Sequence, residues 1–197
     1  PKVGVSPLTA TSATDYIQPY TIINRRFGMK IGVIGIDIAS KTKNSSSPDE
    51  STLFLDETET AQKYIDELTL KGVNHIILLT HYQYRNDLKL AQNLRGVDVI
   101  IGGDSHSLLG NFEELGLNSE GPYPTVVKNA DGTKVCVAQA WQYSQIVGEL
   151  NIEFTNDGVV KTCKGLPHMM LGDSFQRKNA DGNRVEIDGV ARQKVLD

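Results

Sequence analysis

Between positions 30 and 101 the chain alternates continuous apolar runs with amphipathic stretches. Lys30-Ile31-Gly32-Val33-Ile34-Gly35-Ile36, His75-Ile76-Ile77-Leu78-Leu79-Thr80 and Val97-Asp98-Val99-Ile100-Ile101 are short, nearly unbroken apolar segments. Such segments belong to strands covered on both faces. Between the first two, Asp56 to Leu70 sets Ala61, Tyr64, Ile65 and Leu68 at helical spacing, crowds acidic residues into its first turn and meets Gly72 just past its end. These are helix start and stop signals. Between the last two, Asp87 to Leu94 predicts a second helix with Leu88, Ala91 and Leu94 inward and Gly96 closing it. Asp87 fits the start of that helix, where a carboxylate accepts otherwise unpaired backbone N–H groups. Strand, helix, strand, helix, strand is the rhythm of a parallel βαβαβ unit.

Beyond Gly110 the period changes. Pro124–Val127, Lys134–Gln139, Ile146–Phe154 and Gly158–Thr162 read as short strands, with Ala130-Asp131-Gly132 and Asn156-Asp157-Gly158 as hairpin turns. They predict an antiparallel meander in which Ile146, Gly148, Leu150, Ile152 and Phe154 share one face. Before position 30 only Tyr20–Ile23 reads as a strand, and Lys41–Pro48 reads as an exposed, mobile polar loop. After Gly165 the pattern fades into turn-rich sequence, with a short helix expected near the C-terminus.

Composition narrows the class without naming it. In 197 residues, 20 Lys and Arg face 24 Asp and Glu for a net charge of −4, so no basic footprint for nucleic acid exists. At 39% hydrophobic and 22% charged the chain is an ordinary globular one, and no apolar run approaches the length of a membrane span. Cys136 and Cys163 lack the spacing of a zinc site; they pair once or remain buried thiols.

Two predicted strands run into polar residues at their carboxyl ends: Thr80-His81-Tyr82 and Gly102-Gly103-Asp104-Ser105-His106-Ser107. Ligands of open α/β sheets bind at that rim. His81, Asp104 and His106 are the candidate metal ligands there, because imidazole and carboxylate suit Zn, Mn, Fe or Co. Against this, a lone strand-end His is commonly a hydrogen-bonded structural residue, and Asp104 after two glycines could serve a turn. His75 lies at the opposite end of its strand, His168 falls in the weakly patterned tail as a surface residue, and Trp141 reads as core. Ser105 has no strand–GxSxG–helix context for a nucleophile.

Leu79-Thr80-His81, Asp87 with Leu90-Ala91, and Val97 through Ser107 together resemble the 5′-nucleotidase branch of the calcineurin-like metallophosphoesterases. Tyr123-Pro124-Thr125, Ala138-Gln139-Ala140-Trp141, Val147-Gly148-Glu149-Leu150 and, near the start, Tyr20 with Lys30–Gly35 extend the resemblance over residues 1–163. Within the branch it leans toward bacterial periplasmic nucleotidases that include NAD-degrading enzymes. The resemblance implies an α/β fold, a β-sandwich flanked by helices, of which this chain holds the C-terminal half: the parallel βαβαβ unit followed by the meander. It assigns 1–163 to that half domain and 164–197 to a tail or linker toward a nucleotide-binding domain.

The same resemblance implies hydrolysis of nucleotide phosphate esters or pyrophosphates by metal-activated water, with two divalent ions (Zn, Mn, Mg or Co) as cofactors. Carried over residue by residue, His81 and Asp104 serve one metal and His106 the other. Asp104 stands where His is commoner in the family, which favours harder ions such as Mn or Mg. The family's early motifs, an Asp-x-His, a Gly-Asp and a Gly-Asn-His-Glu/Asp turn, are absent. The chain is therefore expected to begin just after them, so that the family's catalytic residues fall upstream of Pro1 and none lies within it. It is expected to be inactive alone, and to dimerise through the sheet face that the missing half would cover. Export to the periplasm or outside is implied, where Cys136 and Cys163 would be bridged. The substrate is expected to be AMP-like, NAD or a nucleotide sugar. The alternatives are a non-catalytic α/β small-ligand module and a 2′,3′-cyclic-nucleotide phosphodiesterase of the same fold.

Overall fold

The computed structural model describes residues 18–170, 176–178 and 181–186. A six-stranded mixed sheet has the order β1-β2-β3-β4-β6-β5. The strands are β1 (Tyr20–Asn24), β2 (Lys30–Asp37), β3 (His75–His81), β4 (Val99–Ile101), β5 (Thr125–Lys128) and β6 (Lys134–Ala138). β2, β3, β4 and β6 run parallel, flanked by antiparallel β1 and β5. A separate antiparallel hairpin joins β7 (Ile146–Phe154) to β8 (Val160–Met169). β9 (Gln176–Lys178) and β10 (Arg184–Glu186) pair with each other.

Among the described residues three α-helices accompany the sheet: α1 (Ala39–Ser45), α2 (Glu57–Leu70) and α3 (Tyr84–Asn93). Asp56 caps α2 by accepting the Glu59 N–H at 2.8 Å, and Glu57 and Glu59 sit favourably in its first turn. Ala61, Ile65 and Leu68 of α2 and Leu90 and Ala91 of α3 bury against Ile34, Ile76, Leu78, Ile100 and Val137 of the sheet. Full burial of such aliphatic side chains stabilises by about 1.5–3 kcal/mol each. Gly32 makes the α2 approach feasible, since a Cβ there would meet Leu68 Cδ1 at 2.7 Å.

The hairpin covers part of the other face. Leu150, Ile152, Phe154 and Val160 pack on Ile77, Val99 and Cys136, and a Cys136–Cys163 disulfide ties β6 to β8 with Cα atoms 6.1 Å apart. Tyr123 lies over Gly148 and Gly165: a Cβ on Gly148 would collide with its hydroxyl, and one on Gly165 would collide with Glu149 O and meet the ring at 3.0 Å. The upper part of this face stays uncovered: Leu79 is 47% and Ile101 42% exposed.

Four expectations need correction. The four strands after Gly110 are not one meander. β5 and β6 join the main sheet, β6 lies parallel to β4, and β7–β8 forms its own sheet. Alternation reports which residues share a face, and it is the same for either strand direction. The polar segment at 41–48 contains the end of α1, a helix without buried residues, held by the Ala39 N–H on Glu57 Oε1 at 2.8 Å and by Thr42 on Asp37 at 2.6 Å. α3 starts at Tyr84, so Asp87 is not its cap but a fully buried side chain. His168 lies in a regular strand, β8, and not in an unpatterned tail; partly exposed, it meets Glu149 across the hairpin at 2.9 Å.

Two further expectations fall on other ground. The helix expected near the C-terminus lies outside the described residues, and so does Pro1, upstream of which the catalytic residues are expected. No described residue bears on those side chains. β8 runs through position 163 without a break.

Candidate functional site

Parallel register brings the carboxyl ends of β2, β3 and β4 onto one rim. Asp37 pairs with His81, and Leu79 pairs with Ile101 just before the Gly102–Ser107 loop. Across that rim His81 Nε2 lies 3.3 Å from Asp104 Oδ1. The His81 side chain is 63% exposed, whereas that of Asp104 is only 4% exposed. Lys41 Nζ of α1 bonds the same Oδ1, and Gln83 Nε2 donates to Oδ2 at 3.0 Å. Burial pushes the Asp104 carboxyl up, but hydrogen bonds from Lys41 and Gln83 and the charges of Lys41 and His81 outweigh it and hold the group below its ordinary value.

Two buried polar side chains carry the loop. Asp87, fully buried, accepts the Thr80 hydroxyl at 2.7 Å on Oδ1, next in sequence to His81. Its Oδ2 has no hydrogen-bond partner and points at Gly102. Burial pushes this carboxyl up to about 7, against the lowering effect of the Thr80 bond. Gln139, at the end of β6 and 3% exposed, donates to Gly103 O at 3.0 Å and to Ser105 Oγ at 3.2 Å, and accepts the Ser107 N–H. Ser105 Oγ also accepts the Tyr84 N–H at 3.0 Å, binding the start of α3 to the loop. The glycines thus make room for protein atoms: Gly102 for Asp87, and Gly103 for His81, whose Nδ1 would lie 3.3 Å from a Cβ there.

Backbone strain concentrates on the same rim. Of eight described non-glycine residues with positive φ, Gln83, Asp104, His106, Trp141, Tyr143 and Ser144 belong to these strand-end loops. Such conformations cost of order 1–3 kcal/mol each and gather at functional sites. His106 stands apart from the His81–Asp104 pair, its ring edge-on to Tyr143 with centroids 5.2 Å apart. Trp141 is half-buried against Leu108, Phe112, Ile146 and Met169. His75 lies at the far end of β3 against Phe154, at 4.5 Å between ring centroids.

The structure therefore joins two of the three candidate ligands. Among the described residues no cluster of three or more His, Cys, Asp or Glu side chains could hold a metal ion. The joined pair does fit one edge of a coordination shell. Ligand bonds of about 2.1 Å at octahedral to tetrahedral angles separate neighbouring donors by about 3.0–3.4 Å, and the observed 3.3 Å falls in that range. Sequence reasoning missed Lys41, Gln83 and the supporting role of Gln139. Gln139 carried a signal, a polar residue closing a buried strand as His81 does; Lys41 and Gln83 carried none.

No family model matches the chain. It is 37% identical over 196 residues to a probable 5′-nucleotidase of Treponema pallidum, covering 98% of this chain and 33% of that protein. With the NAD 5′-nucleotidase of Haemophilus influenzae it shares 40% over 183 residues, 91% of this chain and 30% of the relative. The solved NAD nucleotidase of Haemophilus influenzae superposes with a TM-score of 0.78 at 39% identity, over 90% of this chain and 36% of that one. A 5′-nucleotidase precursor from Thermus thermophilus gives 0.73 at 45% identity, over 77% of this chain and 30% of that one. The chain spans about a third of the length of these relatives.

Proposed function

Because this chain belongs to the 5′-nucleotidase family, as a segment about a third of the length of its relatives, we propose that it supplies part of the metal site of a hydrolase acting on nucleotide phosphate esters or pyrophosphates. The observation that carries the reading is the His81–Asp104 pair, two ligand-type side chains 3.3 Å apart at the carboxyl rim of a parallel sheet. His81 Nε2 and Asp104 Oδ1 would hold one divalent ion, and His106, on the same loop, would serve a second. Mn, Mg, Zn and Co are the candidates, with the carboxylate favouring the harder ions.

What such ions supply is neutralisation of phosphoryl oxygens and a more acidic water at neutral pH. The chain's own residues supply geometry and charge. Asp104 is kept ionised by its hydrogen bonds, so a fixed negative charge faces the rim. Asp87 and Gln139 fix the strand end before His81 and the loop around Asp104 from beneath. His81 reaches into solvent, where an incoming group can meet it. The substrate class follows the relatives named for 5′-nucleotides and NAD, and a nucleotide sugar belongs to the same chemistry. The Cys136–Cys163 disulfide supports action in an oxidising place, the periplasm or outside the cell.

The test is phosphate release from AMP, NAD, UDP-glucose and 2′,3′-cyclic AMP by the full-length protein that carries this segment. Turnover that EDTA abolishes, Mn²⁺ restores and His81→Ala lowers at least 100-fold supports the reading. Turnover of the cyclic nucleotide alone transfers it to a phosphodiesterase, and no metal-dependent turnover of any substrate leaves the small-ligand module.

A further inference from the structure

The Asp104 side chain is almost fully buried, and a buried carboxylate needs a partner charge. The positive charge that meets it here is the chain's own. Lys41 Nζ bonds Asp104 Oδ1, the oxygen that also faces His81 Nε2 at 3.3 Å. The remaining neighbour, Gln83, is neutral and takes the other oxygen. The ammonium therefore occupies the oxygen that a cation shared with His81 would use.

The backbone around Lys41 is tied to its neighbours, while the Lys41 side chain lies half in solvent. The Ile38 N–H bonds His81 O at 3.1 Å, the Ala39 N–H bonds Glu57, and Thr42 bonds Asp37. These three ties set the start of α1 against the ends of β3 and β2 and the first turn of α2. Nothing in α1 is buried, however, and the Lys41 side chain is 50% exposed. A flexible four-carbon stem carrying a compact charge can swing into water without disturbing the rim.

We infer that Lys41 is the resident counter-cation of Asp104, displaced whenever a divalent ion binds, and that it thereby sets the site's metal affinity. The inference rests on the reading of His81 and Asp104 as ligands. A metal ion must break the Lys41 bond and then tolerate the ammonium nearby. Both effects weaken binding, so removing the charge tightens it. Until an ion arrives, the same contact keeps the buried carboxylate paired.

Mn²⁺ is titrated into the full-length protein that carries this segment, at constant pH and ionic strength, with free Mn²⁺ followed by electron paramagnetic resonance. Lys41→Met is expected to bind about fivefold more tightly than the parent, a ratio of ~1 kcal/mol. Lys41→Gln, which keeps a polar head, should behave the same way and guards against a folding defect in the first variant. Lys41→Arg should stay at the parent affinity, and Asp104→Asn should lose binding with or without Lys41. Equal affinity in the parent, Lys41→Met and Lys41→Gln overturns the inference and leaves the metal site standing. No Mn²⁺ binding by any of them overturns the metal reading and this inference with it.

Discussion

Gly102 yields its side-chain space to Asp87: a Cβ built on Gly102 would overlap Asp87 Oδ2, the one buried oxygen of that carboxyl without a hydrogen-bond partner. The helix α3 thus reaches the strand end that leads into Asp104 because that strand end lacks a side chain. Gly102→Ala must push Asp87 off Thr80 or lift the loop. We expect a loss of about 1–3 kcal/mol in urea unfolding, the usual cost of overpacking. Gly35→Ala is the control. A Cβ there meets nothing within 4 Å, so stability should change by less than about 0.5 kcal/mol.

Gln139→Ala tests the support from the other side. It strips the acceptor from the buried Ser107 N–H and the donor from Gly103 O. Leaving a buried N–H unpaired costs about 1–3 kcal/mol. Metal-dependent turnover should fall together with stability, because Asp104 lies within the loosened loop. Gln139→Glu keeps the acceptor and should retain more of both, measured by unfolding and phosphate release side by side.

Asp98 gives a pH signature away from the rim. It is buried below β3 and accepts the Ile76 N–H at 2.8 Å. Burial pushes its carboxyl up to about 7, against the lowering effect of that bond. A folded pKa above the unfolded one means that folding favours the protonated form. Its stabilising contribution is full below about pH 4 and is lost as pH rises through about 7. Asp98→Asn, neutral throughout, should therefore gain on the parent between pH 5 and pH 8 in urea titrations. A stability difference that is flat across that range would contradict the assignment.

The hairpin depends on a covalent tie. Cys136 and Cys163 are 27 positions apart, and closing such a loop is worth about 3 kcal/mol in the chain-entropy account. The double variant Cys136→Ala/Cys163→Ala should lose stability of that order. Amide exchange should then quicken first in β7 and β8, since the main sheet keeps its helix-covered face.

Sequence legibility followed burial. β2, β3 and α2 were readable to within a residue or two, because continuous apolar runs and a capped amphipathic stretch leave few other placements. α1 was not, since its Ser40-Lys41-Thr42-Lys43-Asn44 core has no apolar period and is held by tertiary hydrogen bonds. The start of α3 was hidden by Gln83, whose φ of 77° and uncapped geometry give no start signal. In the site, His81 and Asp104 stood out because His81 closes β3 and Asp104 follows β4 by three residues, and parallel register brings both strand ends to one rim. Lys41 and Gln83 reach the same carboxylate from polar segments whose register no pattern encodes. The reading of Asp87 as a helix cap erred for the same reason: a carboxylate near a helix start looks alike whether it faces backbone amides or a glycine across the core.

The central claim is a divalent ion shared by His81 and Asp104, and anomalous diffraction from Mn²⁺-soaked crystals of the full-length protein tests it most directly. The account predicts an anomalous peak at about 2.0–2.3 Å from both His81 Nε2 and Asp104 Oδ1, with Lys41 Nζ withdrawn from the carboxylate. A protein that releases phosphate in a Mn²⁺-dependent way yet shows its anomalous peaks elsewhere, with Lys41 still on Asp104, would contradict it.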